Sequence, residues 1–107
     1  MTRVIRIDER GERREERLRK KMTELAQRFP CLVNAPGIEP FLPEELDRWA
    51  AGPASSGERI TARFVLSVWS SETEWACGRF DLMESLRIWG PTHRVPFLEW
   101  AAEPWWP

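Results

Sequence analysis

Proline spacing constrains this chain more than any other feature. Four of its nine prolines fall within residues 30–43, and each removes a backbone donor and biases the preceding residue toward extended backbone. We name this segment the strap. It separates a charged stretch, residues 1–29, from a tryptophan-rich body and tail, residues 44–107. With 107 residues, the chain is predicted to form a single domain that can bury a core.

The strap is too apolar for a flexible linker. Its large apolar residues are Leu32, Val33, Ile38, Phe41 and Leu42. We therefore expect it to lie across the core as an ordered segment rather than to tether two independent parts.

A helix is predicted from about Glu12 to Pro30, where proline ends it. Residues 1–7 are compatible with a short strand or an unstructured lead. Within the helix, apolar residues recur at i, i+4, i+7 and i+11, the spacing of a coiled-coil seam. These residues are Leu18, Met22, Leu25 and Phe29. They form a possible helix-pairing seam if the body leaves them uncovered.

Helix starts in the body are marked by local signals. Pro43 followed by Glu44 is typical of a first helical turn, and Gly52 ends that helix. Capping-box spacing predicts three more starts, near Ser55, Ser71 and Asp81. Thr92 is predicted to cap a last helix through Ala102, with Pro96 in its first turn and Phe97, Trp100 and Ala101 on its inner face. Residues 60–69 also alternate at period two, so a strand is the rival interpretation there.

Seven tryptophans without any tyrosine indicate a core built on indole rings. Four of them have helical spacing with other apolar residues and are assigned to the core: Trp49, Trp69, Trp89 and Trp100. Cys31 and Cys77 are expected to be small buried hydrophobes, since no second cysteine pair suggests a metal or redox motif.

Trp105 and Trp106 are the first binding candidates, because two indoles at a chain end need a partner. They either fold back into a groove of their own domain or form an exposed patch that anchors another chain.

The second binding candidate is the basic part of the first helix. Residues 1–29 carry ten Arg or Lys against six Asp or Glu, a balance of +4, whereas the remaining residues carry six against eleven, a balance of −5. This split predicts an acidic partner or self-association. The residues assigned to the contact are Arg13, Arg14, Arg17, Lys20 and Lys21. Nucleic acid is the alternative partner, although glutamates are interleaved with these side chains in the sequence.

Enzymatic signals are weak. His93 is the single histidine, so a histidine-rich metal site is excluded. Its position beside Arg94 at a helix start leaves a small enzyme or an anion-binding protein centred on these two residues as a distant hypothesis. A pair of His93 with Cys31 or Cys77 has no support in the spacing. No catalytic residues, metal ligands or cofactors are predicted.

These patterns predict an all-α domain with a long charged N-terminal helix. The expected function is a non-enzymatic protein interaction or accessory subunit of a larger assembly, and the alternative is a nucleic-acid accessory protein. No apolar run is long enough for a membrane span and no apolar leader is evident at the start, so a cytoplasmic location is expected.

Overall fold

The computed structural model describes the backbone of residues 2–107 and the side chains of residues 11–107. Over this range the chain forms five α-helices and no strand, which confirms the all-α prediction. The helices are α1 (Thr2–Gln27), α2 (Pro43–Ala51), α3 (Ser56–Trp69), α4 (Leu82–Ile88) and α5 (Pro91–Ala102), with a single 3-10 turn at Pro30–Leu32. Helix α1 already begins at Thr2, so the strand or unstructured lead expected for residues 1–7 is wrong. Met1 lies outside the described residues.

The predicted helix starts at residues 43, 56 and 82 are confirmed. The Ser55 hydroxyl accepts a hydrogen bond from the Glu58 backbone N–H, and the Glu58 carboxylate accepts one from the Ser55 N–H, which completes the capping box of α3. The Asp81 carboxylate accepts from the Glu84 N–H at the start of α4. Helix α3 is buried on almost all sides, which explains why residues 60–69 also resemble a strand in sequence.

Two details of the helix assignments are wrong. The segment after Ser71 forms turns instead of a short helix, because the Asp47 carboxylate accepts hydrogen bonds from the backbone N–H groups of Ala76 and Cys77 at 2.9 and 2.8 Å. Helix α5 is capped at Gly90 rather than Thr92, with Pro91 in its first turn, so Pro96 lies in the helix interior.

The core surrounds α3 and includes side chains from α1, the strap, α2, α5 and the segments before and after α4. Phe64 contacts the aromatic rings of Phe29, Phe80, Phe97, Trp89 and Trp100 at centroid distances of 5.2 to 6.2 Å. Of the four tryptophans assigned to the core, Trp89 is fully buried and its indole N–H donates to the Thr61 hydroxyl at 2.9 Å. The other three, Trp49, Trp69 and Trp100, are half-buried and pack against the edge of the core.

The strap is ordered across the core, as predicted. Leu32, Ile38 and Phe41 are buried in the same apolar cluster as the helices. Helix α1 holds the strap by two side chains: the Thr23 hydroxyl donates to the Ile38 carbonyl, and the Arg19 guanidinium donates to the Phe41 carbonyl. The strap therefore fixes the C-terminal half of α1 to the body.

Candidate partner-binding surface

The cationic residues assigned from sequence share one side of α1. At 100° per residue, Arg13, Arg14, Arg17, Lys20 and Lys21 lie within an arc of about 120°, and all five are exposed. We name this set the basic face. Residues 11–17 are exposed on every side, so this part of α1 presents its charges away from the body.

The carboxylates that alternate with these residues in the sequence lie on a different side of α1. Glu12, Glu15 and Glu16 occupy a separate arc of about 100° and line one shallow groove together with Arg19. The Glu15 carboxylate is paired with the Arg19 guanidinium at 3.0 Å. The helix thus separates the two signs of charge that the sequence interleaves, leaving Glu24 as the acidic residue within the arc of the basic face.

The C-terminal tail adopts both of the arrangements considered from sequence, one for each indole. Trp105 folds back and is half-buried. The Lys21 ammonium lies 4.2 Å from the centroid of the Trp105 ring, and the Trp105 carbonyl accepts a hydrogen bond from the Trp100 indole N–H at 3.1 Å. Trp106 keeps 61% of its surface exposed and stands edge-on to Trp100 at 5.5 Å. The contact between Lys21 and Trp105 joins the tail to the basic face.

A groove of about 330 Å³ runs between α1 and the tail. It is lined by Lys21, Glu24, Leu25, Arg28, Pro96, Glu99, Trp100, Glu103 and Trp105. Its three carboxylates outnumber its two cationic groups, and the Arg28 guanidinium is already paired with the Glu99 carboxylate. The positive charge of this region is therefore confined to the side of the groove formed by the basic face.

The seam proposed along α1 is not available for pairing with another helix. Met22, Leu25 and Phe29 are buried in the core of their own chain, and Leu18 is half-buried. The condition attached to that hypothesis, an uncovered seam, is not met.

A second row of apolar residues, on the outer side of α5, was not predicted from the sequence. Ala101, which was expected to face inward, is exposed, and further apolar residues line the outer side of the same helix. The signal that could have revealed this row is the sequence of α5, which has apolar residues on two sides of the helix.

The single histidine is engaged in structural contacts. The His93 Nε2 accepts a hydrogen bond from the Cys31 backbone N–H at 3.3 Å, and its Nδ1 lies 3.3 Å from the Thr92 hydroxyl. Cys31 and His93 therefore do meet, which the sequence did not indicate, but through the backbone of Cys31. Cys31 is half-buried rather than buried, and burial raises the pKa of its thiol. Among the described side chains, no group of three potential metal ligands is found.

Cys77 is buried, as predicted, and its thiol stays protonated near neutral pH because its pKa is raised. Burial, followed by the neighbouring Asp47 carboxylate, raises the pKa of the thiol from 9.0 to about 12. A thiolate, which is the reactive form, is therefore strongly disfavoured at this position.

The Cys77 thiol should make stability depend on alkaline pH. The unfolded thiol ionises near its ordinary pKa while the folded thiol stays protonated to about 12, so its contribution is complete below the unfolded pKa and is lost as pH rises toward the folded one. The difference in unfolding free energy between the natural chain and Cys77→Ala should shrink by about 1 kcal/mol between about pH 8 and about pH 10. Urea titrations of both proteins measure it, and the absence of tyrosine removes phenol ionisation as a confounding source. A difference that stays constant with pH would contradict the assignment.

Comparisons with family models, curated proteins and solved structures each return no match for this chain. None of the helices in the part of the chain that the structure describes is long and apolar enough to cross a membrane.

Proposed function

We propose that this protein is a non-enzymatic interaction subunit that binds an acidic region of a partner protein. The basic face supplies the charge and Trp106 supplies the apolar anchor. The observation that carries the proposal is the packing of Lys21 on Trp105, which makes these two surfaces neighbours. Tryptophan and arginine are also the residues most often found at the energetic centre of protein interfaces.

The basic face and Trp106 are expected to contribute differently to binding, because their side chains are exposed in different ways. Exposed ion pairs contribute little individually, about 0.2–1 kcal/mol each, so the basic face mainly selects the partner and speeds association. Trp106 is 61% exposed and loses that surface when a partner covers it. Affinity should therefore depend on the indole, and the salt dependence of binding on the arginines and lysines.

A protein is favoured over nucleic acid by the carboxylates beside the tail. Glu24, Glu99 and Glu103 line the groove that adjoins the basic face, and a phosphate backbone that crossed it would be repelled. An acidic protein segment can place its carboxylates against the basic face alone and an apolar side chain against Trp106.

Nucleic acid remains the second candidate because of one observation. The separation of Glu12, Glu15 and Glu16 from the basic face removes the main objection that the sequence raises against phosphate binding. Such binding would use the basic face of α1 without the tail.

The proposed site of action is a cytoplasmic assembly. Cys31 and Cys77 are both free thiols, a pattern typical of proteins that work in reducing compartments.

The proposal is tested by affinity capture from native lysate with matched variants. R14E/R17E reverses two charges of the basic face, and W106A removes the exposed indole. R48E/R79E reverses two exposed charges on the body and serves as the control. The natural chain and the control should capture the same proteins, before and after nuclease treatment, and the first two variants should lose them. Equal capture by all four chains would overturn the proposal.

The second candidate is tested with a fluorescently labelled single-stranded oligonucleotide. Anisotropy that rises at low salt, falls steeply with added salt and disappears in R14E/R17E would favour nucleic acid. No change in anisotropy at low salt would eliminate it.

A further inference from the structure

Helix α5 carries apolar residues on two opposite sides. Its inner side, with Pro96, Phe97 and Trp100, packs against the core. On its outer side, four apolar residues follow at spacings of four, three and four, and we name them the outer row: Pro91, Val95, Leu98 and Ala102. All four are exposed, Val95 by 53% and Leu98 by 56%. A helix that is apolar on both sides is expected to be covered on both.

The spacing of the outer row is that of a coiled-coil seam. It repeats the spacing of Leu18, Met22, Leu25 and Phe29 on α1, the row that the body of the same chain covers. The outer row therefore has the pattern of a helix-pairing surface and no cover among the described residues of its own chain.

The charges beside the outer row indicate what covers it. Arg94 lies on one flank and Glu99 on the other, five residues further along the helix, and both are exposed. In a parallel pair of identical helices, this spacing places Arg94 of one helix opposite Glu99 of the other. A twofold axis produces the contact twice.

The antiparallel arrangement gains no such pair. It would place Arg94 opposite Ala101 and Glu99 opposite Thr92, where no opposite charges meet.

Glu99 can pair with Arg94 of a second copy while it stays bonded to Arg28, because only its Oε1 atom takes part in the contact with Arg28. Its side chain remains 49% exposed.

We propose that α5 pairs in parallel with α5 of a second copy of this chain, along the outer row and with Arg94 opposite Glu99 on both sides. The helix has only 12 residues, so the interface belongs to the small, weak class and the dimer forms in a concentration-dependent way. This pairing uses a surface different from the basic face and Trp106. Experiments on the pairing and on the proposed function therefore test two independent proposals.

Sedimentation equilibrium of the natural chain over a wide concentration range tests the pairing. We expect a reversible monomer–dimer equilibrium, and L98E should weaken it at least about tenfold. M83E is the matched control, since Met83 is 65% exposed on a different helix, α4, and its replacement should leave the equilibrium unchanged. A chain that stays monomeric at all concentrations, or a dimer that L98E does not weaken, would overturn the proposal.

Charge exchange tests which residues face each other. R94E places two acidic flanks against each other and should weaken the dimer, whereas R94E/E99R restores opposite charges across a parallel pair and should recover much of the affinity. E99R alone also removes the contact with Arg28, so the two single variants and the double variant are compared as a double-mutant cycle, and an absence of coupling between positions 94 and 99 would rule out this register. Circular dichroism of each variant confirms that the fold is retained.

A disulfide trap tests the direction of the pair without relying on charge. In a parallel twofold pair each residue of the outer row meets its own copy, so A102C should form a disulfide-linked dimer under mild oxidation, which the natural chain should not. An antiparallel pair would place residue 102 opposite residue 91 and leave A102C unlinked, and that result would overturn the parallel arrangement.

Discussion

Replacement of Phe64 by alanine is expected to lower the free energy of unfolding by about 3–5 kcal/mol. Phe64 is 2% exposed and packs against five aromatic rings, two on α5 and three in the segments that follow α1 and flank α4. Truncation removes the transfer free energy of the ring and leaves a cavity whose walls are stiff aromatic side chains. These walls cannot easily collapse into the space, so the loss should fall in the upper part of the range for core phenylalanines.

Urea denaturation followed by circular dichroism measures this loss. Phe64→Leu, which keeps most of the apolar volume, should cost clearly less than alanine. Met83→Ala is the surface control and should change the free energy of unfolding by less than about 0.5 kcal/mol, because Met83 is 65% exposed. A Phe64→Ala loss below about 1 kcal/mol would show that the ring is not at the centre of the packing.

Gly37→Ala should destabilise the fold by at least about 2 kcal/mol. Gly37 lies in the strap with a φ of +79°, a region that residues with a Cβ rarely adopt. An added Cβ would come within 2.6 Å of both the Leu42 carbonyl oxygen and the Leu46 backbone nitrogen. Both are backbone atoms at the start of α2, so relief requires movement of the strap relative to that helix.

Gly57→Ala provides the matched comparison. Gly57 lies in the first turn of α3, and an added Cβ would meet no atom within 4 Å apart from its chain neighbours and the local backbone of its own helix. Alanine favours helix over glycine, so this change should raise the unfolding free energy by up to about 1 kcal/mol. Thermal denaturation of both variants measures the contrast, and a loss of similar size in each would mean that the Gly37 conformation is not required.

Much of the helical framework could be predicted because its signals are local. The Ser55 and Glu58 pair fixes the start of α3 through two hydrogen bonds between residues three apart. Pro43 does the same for α2 by its fixed φ and its missing donor. In such cases the residues that decide the structure are neighbours in the chain.

The predictions from sequence are wrong where contacts between residues far apart in the chain determine the structure. Ser71 and Glu74 have the same spacing as Ser55 and Glu58, yet Asp47, which is 29 residues before Ala76, binds the backbone N–H groups that follow and holds the segment as turns. Rows with identical spacing occur on α1 and on α5, and only the packing of the strap and α3 determines that the first is buried. No local pattern distinguishes the two.

The candidate binding surface also combines features that depend on neighbouring residues with features that depend on distant contacts. Helical periodicity applied to α1 is enough to place Arg13, Arg14 and Arg17 on a side away from Glu12 and Glu15. The docking of Trp105 depends instead on Lys21, which lies near the other end of the chain. The different exposure of Trp105 and Trp106 could therefore not be derived from a sequence in which they are adjacent.

Residues 11–17 of α1 should exchange their amide hydrogens faster than residues 22–29, which include the end of α1 and the start of the strap-facing turn. Residues 22–29 contribute Met22, Leu25, Ala26 and Phe29 to the core, so opening their backbone hydrogen bonds requires disrupting that packing. Residues 11–17 contribute no buried side chain, and their amides can open with little loss of apolar contact. Slower exchange of residues 11–17 on addition of a ligand would thus give a residue-level signal of occupancy at the basic face, without any label on the protein.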